Sequence, residues 1–226
     1  MNIAVVLAGG IGARVGGNMP KQLLPLADGK TILEHSVDAF SMADSIDEVC
    51  IVMHPDYISE AEKMLQTNGW KKVRHIIPGG KERWESSVNA IRKYQDILSA
   101  DEFTQANILL HDAARPFVSQ RIITDVCKAL EVHKAVVVAI PSTDTVYEMQ
   151  NGCVARIPNR STIMRAQTPQ AFRLPLITKA YDIALNSENM QVTDDCGVVF
   201  NHIPAQPIHI VLGEEQNKKI TFKEDI

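Results

Sequence analysis

No two cysteines of this chain lie near one another. Cys50, Cys127, Cys153 and Cys196 are scattered singly through 226 residues, with no Cys-x-x-Cys spacing. That argues against a disulfide framework and a zinc clip, and leaves idle thiols in a reducing compartment as the expectation. A stripe of Lys or Arg is also missing. With 23 basic against 27 acidic side chains, a net charge of −4 and an isoelectric point near 6.0, no broad nucleic-acid face is expected, although a local basic pocket is compatible. Long apolar runs are absent as well. The opening run Ile3–Ala8 has no basic stretch before it and passes straight into glycines, too short for a signal peptide or a membrane span. The expectation is a cytoplasmic protein that binds neither membrane nor nucleic acid.

What is present is an ordinary globular composition, 45% hydrophobic and 22% charged, on a chain long enough to bury a full core. Short β-branched runs stand at Ile3–Leu7, Glu48–Met53, Val73–Ile77, Asn107–Leu110, Ala135–Ile140 and Pro207–Val211. None alternates cleanly, as expected of strands covered on both faces. Helical patterns lie between them at Thr31–Phe40, Ser59–Asn68, Glu85–Leu98 and Gln120–His133, the last with Ile122, Ile123, Val126, Cys127 and Leu130 on one face. Strands alternating with helices imply βαβ units. The expected fold is therefore α/β, a Rossmann-like, doubly wound and mostly parallel sheet, with 1–226 as a single domain. One segment breaks the rhythm. Across 143–165, Asn151-Gly152 sits between β-rich flanks, which predicts a β-hairpin arm suited to a homodimer contact or a lid.

The stretch LAGGIGARVGGNMPKQ, Leu7 to Gln22, places Gly9, Gly10, Gly12, Gly16 and Gly17 directly after the first strand. Backbone N–H groups in such a loop converge on an anion. The dinucleotide fingerprint G-x-G-x-x-G does not fit, because from Gly10 the run is G-I-G-A-R-V-G, one residue too long. The Walker spacing G-x-x-x-x-G-K-[ST] is not met either. What distinguishes the loop is Arg14 inside it and Lys21 just beyond. A spectator pyrophosphate has little use for two cations, whereas phosphoryl-group transfer needs them against growing charge. Solvated surface charge is the alternative reading of the pair.

Further blocks follow in order. His111–Pro116 (HDAARP) comes at the end of an apolar run, where ligands of open α/β sheets bind. There Asp112 is suited to a ribose hydroxyl or Mg²⁺ and Arg115 to a substrate phosphate, with a helix-capping Asp–Arg pair as the alternative. Gly79–Ser87 (GGKERWESS) carries Ser86, and its Trp84 reads as packing. Thr143–Thr145 (TDT), Gln167–Phe172 (QTPQAF), Thr193-Asp194-Asp195 and Asn217–Thr221 (NKKIT) complete the set. The paired Asp194 and Asp195 suit either metal assistance or a helix N-cap.

Taken together, these blocks and the glycine loop resemble the cytidylyltransferases of the IspD type across nearly the whole chain. The resemblance implies CTP and a polyol phosphate as substrates, Mg²⁺ as cofactor and a homodimer joined through the arm. It implies Arg14 and Lys21 as the catalytic cations. Nucleotide contacts are implied at Leu7, Ala8, Gly9, Gly10, Gly12, Gly79, Gly80, Ser86, Asp112 and Ala113, with Ser86 reading the cytosine edge and Asp112 available to the metal. Arg115, Thr145, Arg160, Thr168 and Lys219 match positions for the second substrate, Arg160 from a partner subunit. Members of the family act on 2-C-methyl-D-erythritol 4-phosphate or on D-ribitol 5-phosphate. Leu7-Ala8-Gly9-Gly10, Thr193–Cys196 and Pro158–Ser161 lean toward the ribitol branch, and HDAARP toward the erythritol branch. Two readings from other classes are a nicotinamide-dependent oxidoreductase, which would have no need of Lys21, and a nucleotide-binding regulator without turnover, which would have no need of the cations and Asp112.

Overall fold

The computed structural model describes residues 1–10, 20–187, 190, 192–222 and 225. Gly12, Arg14, Gly16 and Gly17 of the glycine loop lie outside them. The chain begins with β1 (Asn2–Ala8) and α1 (Ile32–Ser41), followed by β2 (Glu48–Met53), α2 (Ile58–Asn68), β3 (Val73–Pro78), α3 (Arg83–Ile97), the short α4 (Ala100–Gln105) and β4 (Asn107–Asp112). Then come α5 (Gln120–Val132), β5 (Ala135–Pro141), a small hairpin of β6 (Glu148–Gln150) and β7 (Cys153–Arg156), β8 (Met164–Arg173), α6 (Leu174–Leu185), α7 (Asp195–His202) and β9 (His209–Leu212).

Local chemistry sets many of these boundaries. Thr31 starts α1 with a capping box: its side chain accepts from Glu34 N at 3.1 Å, and the Glu34 carboxylate accepts from Thr31 N at 2.7 Å. Ser119 caps α5, its hydroxyl accepting from Ile122 N at 3.3 Å, so the Asp112–Arg115 pair does not serve as the cap. Gly69 ends α2 at φ 61°, a left-handed position that suits glycine. At the hairpin tip Asn151 (φ 52°) and Gly152 (φ 77°) take the two positive-φ positions of a tight turn, as their order in sequence anticipates. The chain's Gly-Lys-Thr triplet, Gly29–Thr31, is no phosphate loop. Leu24 stands where a first glycine would be needed, Gly29 turns at φ 86°, and Lys30 pairs with Asp38 at 2.6 Å.

Among the described residues seven strands form one sheet in the order β3-β2-β1-β4-β8-β5-β9. All neighbours run parallel except β8, which is antiparallel to both β4 and β5. Alternation along β1 sends Ala4, Val6 and Ala8 into one apolar layer and Ile3, Val5 and Leu7 into the other. The first layer is closed by α1, α2 and α5 through Val37, Phe40, Ala61 and Val126. The second is closed by α3, α6 and α7 through Ile91, Tyr94, Ile177 and Val198, with Trp84 packed against it. Helices on both faces are the doubly wound arrangement. No described helix is long and apolar enough to cross a membrane.

Candidate active site

Strand order reverses between β1, which leads outward to β2 and β3, and β4 on its other side. In an open α/β sheet the crevice beyond the carboxyl ends of such strands receives ligand. A cavity of about 340 Å³ lies there, bordered by Leu7, Gly9, Gly10, Lys21, Ser86 and Asp112 among others. A second, of about 170 Å³, adjoins it and is bordered by Arg115, Gln167, Thr168, Gln170 and Asp194. Arg83, Asp112 and Lys219 belong to both walls.

The residues that follow β1 and β3 pack backbone to backbone. A Cβ on Gly79 would stand 2.9 Å from the Gly9 Cα and 2.9 Å from the Ser86 hydroxyl, so the ends of β1 and β3 approach as only glycines allow. Ser86, at the start of α3, accepts from Gly80 N at 3.1 Å. Gln22 is buried and donates to the carbonyls of Ala8 (2.8 Å) and Gly10 (2.6 Å), pinning the strand's exit. Lys21 Nζ donates to the Ile220 carbonyl at 2.7 Å, beside the larger cavity. Ala8, Gly79 and Ala113 stand just behind this wall. Ala113 N donates to Leu7 O at 3.0 Å, and its carbonyl accepts from Ser36 at 2.8 Å.

The shared wall is an ion network. Asp112 ends β4, its carboxylate accepting from Arg83 Nε at 2.7 Å and from Lys219 Nζ at 2.7 Å. Arg83 Nη1 reaches Asp195 at 2.6 Å, and Asp195, fully buried, also accepts from Tyr181 at 2.7 Å. Burial alone would raise the Asp112 carboxyl, but the charges of Arg83 and Lys219 outweigh it and hold the group well below the usual carboxylate range. Burial likewise opposes the Arg83 charge, and Asp195 and Asp112 more than offset it. Asp194 is the N-cap of α7, accepting from Gly197 N at 2.7 Å, and its other oxygen takes Gln170 at 2.8 Å. Arg115 donates to the carbonyls of Asn217 (2.8 Å) and Ala166 (3.4 Å).

The structure thus brings Leu7, Gly9, Gly10, Gly80, Ser86, Lys21 and Asp112 around one cavity and Arg115, Thr168, Asp112 and Lys219 around the other. Gly12 and Arg14 lie outside the described residues. Thr145 and Arg160 are exposed and line neither cavity, with Arg160 donating to the Thr143 carbonyl at 3.2 Å. Sequence reasoning passed over Arg83, Gln170, Tyr181 and the buried role of Asp195. Arg83 lay in plain view inside GGKERWESS, but its partners are 29 and 112 residues away in sequence. Among the described residues no three His, Cys, Asp or Glu side chains gather as a metal cage. Mg²⁺ bound to a triphosphate needs only one or two protein carboxylates, and Asp112, held ionised on the shared wall, has the chemistry for that single donor.

A family model described as 2-C-methyl-D-erythritol 4-phosphate cytidylyltransferase matches residues 2–226. The protein of that name from Thermobifida fusca is 46% identical over 99% of this chain and 89% of its own length. Ribitol-5-phosphate cytidylyltransferase from Lactiplantibacillus plantarum is 34% identical over 100% of this chain and 95% of its own. The crystal structure of 4-diphosphocytidyl-2C-methyl-D-erythritol synthase from Anaerococcus prevotii superposes with a TM-score of 0.84 at 30% identity, covering 99% of this chain and 92% of that one. Two such cavities sharing a charged wall at the sheet's switch point, in a chain matched from end to end, lead to one assignment: the chain belongs to the IspD family of cytidylyltransferases.

Proposed function

We propose that the enzyme transfers CMP from CTP to the phosphate of a polyol phosphate, giving a CDP-polyol and pyrophosphate. The observation that carries this reading is the shared wall. Arg83, Asp112 and Lys219 border both cavities, so a nucleotide in the larger one and a polyol phosphate in the smaller one would meet across it. A phosphate oxygen of the polyol phosphate attacks the α-phosphorus of CTP. The new P–O bond forms as the bond to the β-phosphate oxygen breaks, and that electron pair leaves with pyrophosphate. An ionised phosphate is already a nucleophile, so no general base is needed.

Two polyanions must be aligned, and neutralisation and positioning then supply most of the rate. Lys21 and Arg14 are assigned to the charge growing on the transferring phosphoryl group, Arg115 and Lys219 to the incoming phosphate, and Ser86 to the cytosine edge. Mg²⁺, held by Asp112 and the triphosphate, would neutralise nucleotide charge when bound. Thr145 and Arg160, which line neither cavity of their own protomer, would complete the site of a partner. Val146, Tyr147, Met149, Val154 and Ile157 on the arm are all exposed apolar side chains, which supports a homodimer through it.

Pyrophosphate release measured with each of the four nucleoside triphosphates, against 2-C-methyl-D-erythritol 4-phosphate and D-ribitol 5-phosphate, tests the reading. Turnover with CTP and one polyol phosphate, abolished by chelator and restored by Mg²⁺, is the expected outcome. CTP binding without turnover on either acceptor would overturn it.

A further inference from the structure

The tight turn Lys21–Leu23 carries three side chains with three different surroundings. Lys21 borders the larger cavity, Leu23 enters the apolar layer closed by α1, α2 and α5, and Gln22 between them is only 4% exposed. The Gln22 carboxamide nitrogen spends both its hydrogens on backbone, donating to the Ala8 carbonyl at 2.8 Å and to the Gly10 carbonyl at 2.6 Å. Carbonyl oxygens only accept, so the amide cannot be turned over, and Oε1 faces away from both. That oxygen is buried and has no hydrogen-bond partner among the described residues. An open buried acceptor is destabilising, and the chain tolerates it to keep both donors where they are.

The two carbonyls bracket Gly9. A trans peptide unit is planar, so fixing the Ala8 carbonyl also fixes the direction of the Gly9 N–H. With the Gly10 carbonyl held in the same way, Ala8-Gly9-Gly10 is fastened from both ends. Gly9 in turn bears on the loop that follows β3. A Cβ there would stand 2.7 Å from the Ser86 hydroxyl and 3.3 Å from the Gly79 Cα, so only hydrogen separates Gly9 from the serine. Gln22 therefore sets the backbone surface against which Ser86 rests. Gln22, Gly9, Gly10 and Ser86 border or adjoin the larger cavity, and none of the four borders the smaller one.

We propose that Gln22 is a positioning residue for the nucleotide: it clamps Ala8-Gly9-Gly10 against Ser86 and so sets, at one remove, how well the larger cavity tells cytosine from uracil. This role rests on the reading of that cavity as the nucleotide site with Ser86 at the cytosine edge. The two fail separately, because CTP binding by the unaltered protein tests the reading and the change on substitution tests Gln22.

Titration calorimetry with CTP and with UTP, in Mg²⁺ and without polyol phosphate, compares the unaltered protein with Gln22→Met, which keeps the length and loses both donors. CTP should bind the variant on the order of 10-fold more weakly, the scale of one or two hydrogen bonds. UTP should lose less, so the preference for CTP narrows. In kinetics the KM for CTP should rise by the same factor while the KM for the polyol phosphate stays where it was. Unchanged CTP affinity in the variant would overturn the proposal. So would equal losses for CTP and UTP, or a rise in both KM values, since either marks a general support of the fold. No CTP binding by the unaltered protein would overturn the proposal together with the reading beneath it. Should Gln22→Met fail to fold, Gln22→Asn, whose shorter side chain cannot span both carbonyls, is judged by the same outcomes.

Discussion

Gly10 borders the larger cavity and Gly79 stands just behind its wall, yet a methyl group at each should fail in opposite ways. At Gly79 an added Cβ would lie 2.9 Å from the Gly9 Cα, 2.9 Å from the Ser86 hydroxyl and 3.4 Å from the Met53 carbonyl. The nearest of these is backbone at the end of a central strand, and it cannot yield without moving β1 against β3. Overpacking of this kind costs about 1–3 kcal/mol. In a chain of this size each kcal/mol lowers Tm by roughly 2–4 °C, so Gly79→Ala should melt about 2–12 °C early. At Gly10 a Cβ meets no atom of the described residues within 4 Å, and the residue borders the larger cavity. Gly10→Ala should leave stability within about 0.5 kcal/mol. The methyl instead takes space from the nucleotide. If the same ~1–3 kcal/mol falls on binding, the KM for CTP rises about 5- to 150-fold. Thermal melting and pyrophosphate release on the two variants separate the effects. A Gly10→Ala protein that melts early but keeps its KM would refute the argument, as would a Gly79→Ala protein as stable as the parent.

Lys21→Ala should fold and bind the polyol phosphate yet lose on the order of 10²–10³ in kcat, the usual cost of removing a preorganised cation aimed at transition-state charge; near-normal turnover with CTP would remove Lys21 from the mechanism. Asp195→Ala leaves the half-buried Arg83 guanidinium with Asp112 alone and strands the buried Tyr181 hydroxyl, and urea unfolding should show a loss of about 1–3 kcal/mol. Acid should destabilise the fold through His111. Its pKa is depressed from 6.5 to about 4, so below pH 6.5 the unfolded chain takes up a proton that the native state refuses. The contribution is full above pH 6.5 and is lost as pH falls to 4, about 3 kcal/mol in all. Urea unfolding compared at pH 7 and pH 4.5 should flatten in His111→Gln, and an unchanged pH slope would contradict the assignment.

Much of the parallel core was legible because its strands are dense in Val, Ile and Leu and each is followed by a helix whose apolar stripe repeats at 3.6 residues. The hairpin was legible from Asn151-Gly152 alone. β8 was not. Its middle reads Gln167-Thr168-Pro169-Gln170, polar and with a proline, which argues against a central strand. Those side chains are instead spent on neighbours: Gln167 donates to Glu214 O at 2.8 Å, and Gln170 bridges Asp194 and Cys196. α6 begins Leu174-Pro175, a proline in the first helical turn that sequence reading did not use. In the site, the glycines, Ser86 and Asp112 were visible as motif residues, since each stands in a short recognisable run where a strand ends or a helix begins. Arg83 and Asp195 were not, because their meaning lies in a network joining the starts of α3 and α7 to the end of β4.

The residues from 217 to 220 hold three charged groups of the site. Asn217 O receives Arg115, Lys219 pairs with Asp112, and Ile220 O receives Lys21. They follow the last strand of the sheet, which ends at Leu212. The charge balance of the wall thus hangs on a segment outside the sheet, and a cut between Leu212 and Asn217 is expected to spare the seven strands while loosening the partners of Arg115, Asp112 and Lys21.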